Sequence, residues 1–108
     1  MEVNIAVLVP IAVVGYLFGS FPTSYLLVKR FAGKNIRQFG TANVGTLNVH
    51  RATNSKVLTL VNLAGDVLKG VLAMAIGYAA AGAAGADPGM GAVTGGIFAV
   101  AGHNYTVF

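Results

Sequence analysis

Apolar and polar stretches alternate along the chain on the scale of a membrane. Residues 5–28 run for 24 positions without a charge. A helix of that length rises about 36 Å, enough to cross a hydrocarbon core of about 30 Å with some tilt. Residues 57–84 and 90–108 are two further apolar stretches, and Asp87-Pro88-Gly89 marks a short turn within 82–91. The pattern predicts an all-α membrane protein: a single membrane domain over 1–108, spans at about 5–28, 57–84 and 90–108, and a loop over 29–56. A cleaved signal peptide would need a basic start and a shorter apolar region. Here the start is Met1-Glu2-Val3-Asn4, which is acidic, so the first span is expected to be retained.

Composition strengthens this reading. Only 9% of the 108 residues are charged and 56% are hydrophobic, whereas a soluble domain carries roughly 25% charged residues. Cysteine is absent, which removes disulfides, thiolate metal sites and a cysteine nucleophile. Two separated histidines and two separated aspartates do not make a metal cluster, and neither metal nor cofactor is expected. The formal net charge is +4, but six of the seven basic residues lie between Lys29 and Lys56, with no acidic residue among them. That clustering speaks of topology, not of nucleic acid. By the positive-inside rule the 29–56 loop is cytoplasmic and the N-terminus is outside.

Four polar features interrupt the apolar pattern. The first is GYLFGSFPTSY at Gly15 to Tyr25, small and polar around Pro22. Small residues suit close helix packing, and Pro22 frees a carbonyl near residue 18 that must find a partner or line a wet cavity. The second is GTANVGTLN at Gly40 to Asn48, the stretch around which the chain is organised. Uncharged hydrogen-bonding side chains on a glycine-rich backbone, ringed by Arg and Lys, suit an anionic polar ligand. The Gly40–Gly45 spacing is that of a Walker loop, but Thr46 stands where its lysine would be, so a different phosphate site is expected. Arg37 precedes this loop and can approach a phosphate bidentately. Leu47, Val49 and their apolar neighbours suggest that the loop dips into the bilayer surface.

The third feature is the pair Asp66 and Lys69 inside the second apolar stretch. Charges at a helix centre cost roughly 2.5–3.5 kcal/mol each on the insertion scale. Three-residue spacing puts both on one face, either as a buried ion pair or with Lys69 turned to an anionic substrate and Asp66 orienting it or Arg37. Asn62 lies one turn nearer the basic loop. The fourth is His103 with Asn104 at the end of the third stretch. A lone histidine is more often structural than catalytic, but this one is expected at the same membrane depth as the other polar groups.

Taken in order, GSFPTSY (Gly19–Tyr25), Ile36-Arg37, GTANVGTLNVHR (Gly40–Arg51), GDVLKG (Gly65–Gly70) and GHNYTVF (Gly102–Phe108) resemble the bacterial integral-membrane acyl-phosphate:glycerol-3-phosphate acyltransferases, the PlsY family. The resemblance covers essentially the whole chain. It implies a seven-helix bundle of which three spans are present here, in the bacterial inner membrane, with the site facing the cytoplasm. The implied reaction moves a fatty acyl group from acyl phosphate to glycerol 3-phosphate, giving lysophosphatidic acid for phospholipid synthesis. The partners are then the lipid bilayer and the two substrates, without nucleic acid.

By position the resemblance implies His103 and Ser20 as catalytic residues and Arg37, Thr41, Asn43, Gly45, Asn48 and Lys69 as substrate-binding residues. Arg37 and Lys69 would hold phosphate. Ser20 lacks an obvious local base, so direct transfer is expected, with His103 or the substrate phosphate taking the proton. The family loop reads GSGN where this chain has GTAN; Ala42 gives up a glycine's backbone freedom. The family also continues into a glycine- and lysine-rich loop beyond Phe108, so an N-terminal fragment, inactive alone, is expected. The competing reading is a three-span transport or channel subunit packing through its glycine faces. A structural membrane scaffold is a third, and it leaves the Gly40–Asn48 loop unexplained.

Overall fold

The computed structural model describes residues 4–38 and 45–108. The described residues are helical: α1 (Ile5–Ser20), α2 (Thr23–Ala32), a 3-10 turn (Ile36–Gln38), α3 (Thr46–Thr53), α4 (Lys56–Ala83) and α5 (Pro88–Asn104). Two stretches are long and apolar enough to cross a membrane, Ile5–Ala32 and Lys56–Ala83, each of 28 residues. Their apolar windows are only 22% and 11% buried within the chain. Helices at the core of a soluble protein would be mostly covered, so these leave apolar faces that need another partner.

The first predicted span, 5–28, is not one uninterrupted helix. It stops at Ser20, turns through Phe21 and Pro22, and resumes to Ala32. Pro22 is the cause, because it brings no N–H to continue the ladder. The carbonyl of Phe18, expected to be orphaned, accepts the Phe21 amide at 3.2 Å. Pro10, by contrast, sits inside α1 without ending it. The third predicted span, 90–108, is shorter in the structure. Helix α5 begins at Pro88 and ends at Asn104, and Tyr105 leaves helical geometry at φ −129°, ψ 62°. Its 17 residues make about 25 Å. The Asp87-Pro88-Gly89 signal starts this helix: the Asp87 carboxylate accepts the Met90 amide at 3.3 Å and Pro88 takes the first turn, where its missing N–H costs nothing.

The chain forms two compact units, Met1–Phe21 with Leu68–Phe108, and Pro22–Val67. The first is held by close backbone approach. A Cβ on Gly15 would sit 2.6 Å from the Gly95 carbonyl oxygen, and one on Gly19 would fall inside the Ala99 backbone. On its other side α5 meets the second half of α4 in the same way, Gly91 against Gly77 and Gly95 against the Ala73 carbonyl. Ile11, nearly fully buried, fills the space beside Gly77 and Gly95. Dispersion between closely approaching backbones is what holds helices where lipid removes the hydrophobic drive.

The second unit corrects the expectation of a loop over 29–56. It carries the end of α2, the 3-10 turn and α3, packed around Val28, Ile36, Val49 and Ala52, with Tyr25 and Ala32 against them. Val49 and Ala52 are one turn apart, so α3 has a small apolar face despite His50 and Arg51. The apolar residues expected at the bilayer surface therefore divide: Val49 is fully buried inside the unit, while Leu47 is 73% exposed. Left-handed residues end both short helices, Gly33 (φ 67°) after α2 and Asn54 (φ 50°) after α3. Lys34 donates to the Ala52 carbonyl at 3.0 Å, a cation at the negative end of α3.

Candidate active site

In the first unit the polar residues gather at the end of α1. A helix end leaves carbonyls without intrahelical donors, and here side chains take them. The Thr106 hydroxyl donates to the Ser20 carbonyl at 2.7 Å, and the Lys69 ammonium donates to the Phe21 carbonyl at 3.2 Å. The Tyr16 hydroxyl donates to the Tyr105 carbonyl. These ties fasten the segment that follows His103 to the end of α1. Gly102, just before His103, lies against the Tyr16 carbonyl and against the Ser20 amide and Oγ, and a side chain there would displace them.

Lys69 is 9% exposed and Ser20 is 1% exposed. The Ser20 Oγ is buried without a hydrogen-bond partner among the described residues. His103 is half-buried in the last turn of α5. Ser20, Lys69 and His103, singled out from sequence, accordingly belong to one unit, and Ser20 and Lys69 share the α1 break.

Arg37, Gly45 and Asn48 belong to the second unit. Thr41 and Asn43 lie outside the described residues. The Arg37 guanidinium lies over the Tyr25 ring, 4.9 Å from its centre, a cation–π contact. Its backbone is set by Asn35, whose side chain accepts the Arg37 amide at 3.0 Å in a local turn. Lys29 approaches the same ring at 5.5 Å. Asn48 is buried, and its amide donates to the Ile36 carbonyl at 3.2 Å. It therefore ties α3 to the 3-10 turn that carries Arg37. Gly45 is the N-cap of α3, in extended geometry, with its carbonyl accepting the Asn48 and Val49 amides.

One partner of Asp66 is Asn62, whose amide donates to the Asp66 carboxylate at 3.2 Å and to the Thr46 hydroxyl at 3.3 Å. The sequence reading placed Asn62 near the loop without giving it a role, and it passed over Thr106, Tyr16 and the stacking of Tyr25. An asparagine in an apolar helix was the visible signal for the first. The others depend on contacts between distant parts of the chain.

The chain matches the family model described as glycerol-3-phosphate acyltransferase over residues 9–108. It belongs to that family. Among curated relatives, the glycerol-3-phosphate acyltransferase of Clostridioides difficile is 44% identical over 95 residues, covering 88% of this chain and 46% of that protein. Glycerol-3-phosphate acyltransferase 2 of Moorella thermoacetica is 40% identical over 96 residues, 89% of this chain and 46% of that protein. The enzyme of Chlorobaculum tepidum is 39% identical over 104 residues, 91% of this chain and 44% of its own length. The chain thus spans just under half the length of these relatives. No solved structure matches it. The family membership agrees with the five motifs read from the sequence, and the break at Phe21–Pro22 lies inside the first of them.

Proposed function

We propose that this chain contributes to an enzyme that transfers a fatty acyl group from acyl phosphate to glycerol 3-phosphate, giving lysophosphatidic acid for phospholipid synthesis. The family match over residues 9–108 carries this reading. In the proposed step the glycerol hydroxyl oxygen bonds to the acyl carbon, the acyl carbon–phosphate oxygen bond breaks, and inorganic phosphate leaves. The hydroxyl proton goes to His103 or to a phosphate oxygen. Acyl phosphate is already activated, so the protein's task is to place the two substrates and neutralise the leaving charge.

Arg37, over the Tyr25 ring, presents its fork of donors to the phosphate of glycerol 3-phosphate. Lys69, its ammonium held by the Phe21 carbonyl at the α1 break, supplies a cation for phosphate. Ser20, Thr41, Asn43 and Asn48 hydrogen-bond phosphate or glycerol oxygens, and Gly45 shapes the turn into α3. The enzyme is set in the bacterial inner membrane, N-terminus outside, as a seven-helix bundle in which α5 acts as the third span. The basic residues of Lys29–Lys56 face the cytoplasm, where glycerol 3-phosphate is dissolved.

The test is acyl transfer by membranes containing the complete product of the gene that encodes this chain. Supplied with acyl phosphate and glycerol 3-phosphate, they should form lysophosphatidic acid. Arg37→Ala should lower kcat/KM by about 100-fold, and Arg37→Lys should restore little, because a lysine offers neither fork nor stacking plane. Membranes that hold the protein but make no lysophosphatidic acid would overturn the reading.

A further inference from the structure

Asn62 is fully buried in the largely apolar helix α4. Its side-chain nitrogen donates in two directions, to the Thr46 hydroxyl at 3.3 Å and to the Asp66 carboxylate at 3.2 Å. Its oxygen is buried without a hydrogen-bond partner among the described residues. Burying a carboxamide with one unmatched group is costly, and an apolar side chain of the same branched shape would avoid that cost. Mere packing therefore does not account for this residue.

The two partners explain its placement. Thr46 opens α3 directly after Gly45, at the end of the polar Gly40–Asn48 stretch. Asp66 is one helical turn along α4 from Asn62. A single planar amide holding both fixes the start of α3 at a set distance from the carboxylate. An amide has two N–H groups in a rigid plane, so the two bonds cannot be adjusted separately. Asn48, two residues on from Thr46, in turn holds the carbonyl of Ile36, next to Arg37. The chain of contacts Asp66, Asn62, Thr46, α3 and Asn48 thus ends at the 3-10 turn that carries Arg37.

We propose that Asn62 is a positioning residue for glycerol 3-phosphate. It sets the corner formed by Thr46 and Asp66, and through α3 the placement of Arg37, without touching substrate. The inference rests on the acyltransferase reading given above. It assigns this corner to the water-soluble substrate, because hydroxyl and carboxamide groups tied through α3 to the turn that carries Arg37 match a molecule that carries both hydroxyls and a phosphate. The acyl phosphate, whose bulk is a hydrocarbon chain, gains little from such a corner.

The experiment is steady-state kinetics of the complete gene product in membranes, with Asn62→Leu, Asn62→Asp, Thr46→Val and the double variant Asn62→Leu/Thr46→Val. Asn62→Leu keeps the branched heavy-atom shape and removes both donors. It should raise the KM for glycerol 3-phosphate about tenfold, the scale of a lost buried hydrogen-bond pair. The KM for acyl phosphate should stay within about twofold, a shift of only a few tenths of a kcal/mol. Asn62→Asp keeps the shape but loses the donors and should behave like Asn62→Leu or worse. Because Asn62 acts through Thr46, the double variant should show less than the product of the two single effects.

Equal changes in both KM values, or unchanged ones, in variants present at parental levels would overturn the inference. So would independent, multiplicative effects of the two substitutions. Should Asn62→Leu fail to accumulate, Thr46→Val alone still decides: it must shift the KM for glycerol 3-phosphate selectively. A parent protein without acyl transfer would sink the acyltransferase reading and this inference with it, whereas an active parent with unselective variants sinks this inference alone.

Discussion

Gly19 on α1 and Val49 on α3 are both buried against a neighbouring element, yet they are held in opposite ways. Around Gly19 the neighbour is backbone: the main chain of Ala99 stands where a side chain would begin. Around Val49 the neighbours are side chains, Val28, Ile36 and Ala52, and the ties between elements are side chain to backbone, as from Asn48 and Lys34. The difference follows from the two sequences. One unit is rich in glycine and alanine and has few hydrogen-bonding groups to spend. The other carries six basic residues and several amides, and can fasten short helices by their ends. Volume should therefore govern the first unit, and shape and hydrogen bonding the second.

The largest expected effect comes from adding volume where the backbones meet. Gly19→Leu has no room without driving α1 and α5 apart. It should destabilise by about 3 kcal/mol or more, at or beyond the upper end for overpacking. The check is the thermal unfolding midpoint of the complete gene product in detergent. Gly70→Ala is the matched control, since nothing lies within 4 Å of a Cβ at Gly70. It should be neutral, or stabilising by up to about 1 kcal/mol through helix propensity. A tolerated Gly19→Leu, or an equally damaging Gly70→Ala, would mean that glycine content and not contact decides.

Removing volume is the corresponding change in the second unit. Val49 is fully buried, so Val49→Ala leaves a small cavity and should cost about 2 kcal/mol. The same melting measurement applies, and a loss under about 0.5 kcal/mol, typical of surface substitutions, would place Val49 outside any real core.

What the sequence disclosed and what it hid divide along the same line. The helices, the interruption at Pro22, the small-residue packing and the Asp87 signal were legible because each depends on neighbours within a turn or two. The five motifs named the family for the same reason. Helix α3 was hidden, because eight residues with His50 and Arg51 among them read as loop, and its apolar face is only Val49 and Ala52 deep. Which glycines meet backbone and which face open space was also hidden, since Gly19 and Gly70 look alike in sequence. Of the candidate site residues, Ser20 and Lys69 were each singled out by a motif of their own. The ties that hold them in place reach across 86 residues in the case of Thr106 and Ser20, and 48 in the case of Lys69 and Phe21. No local pattern reports such a contact.

Thr106 supplies the smallest effect and the finest distinction, because it is a polar tie inside the unit held by volume. Thr106→Val keeps the shape of the side chain and removes only the hydroxyl that donates to the Ser20 carbonyl. The loss should be about 1 kcal/mol, the net worth of one such bond. Thr106→Ser should recover most of it, because the hydroxyl returns while a methyl is lost. If volume alone governed this unit, the order would reverse: valine would be neutral and serine would carry the cost. Melting of the two variants side by side decides between these orders. Only the first is consistent with a helix break whose carbonyls must be capped to hold the end of α1 against the segment that follows His103.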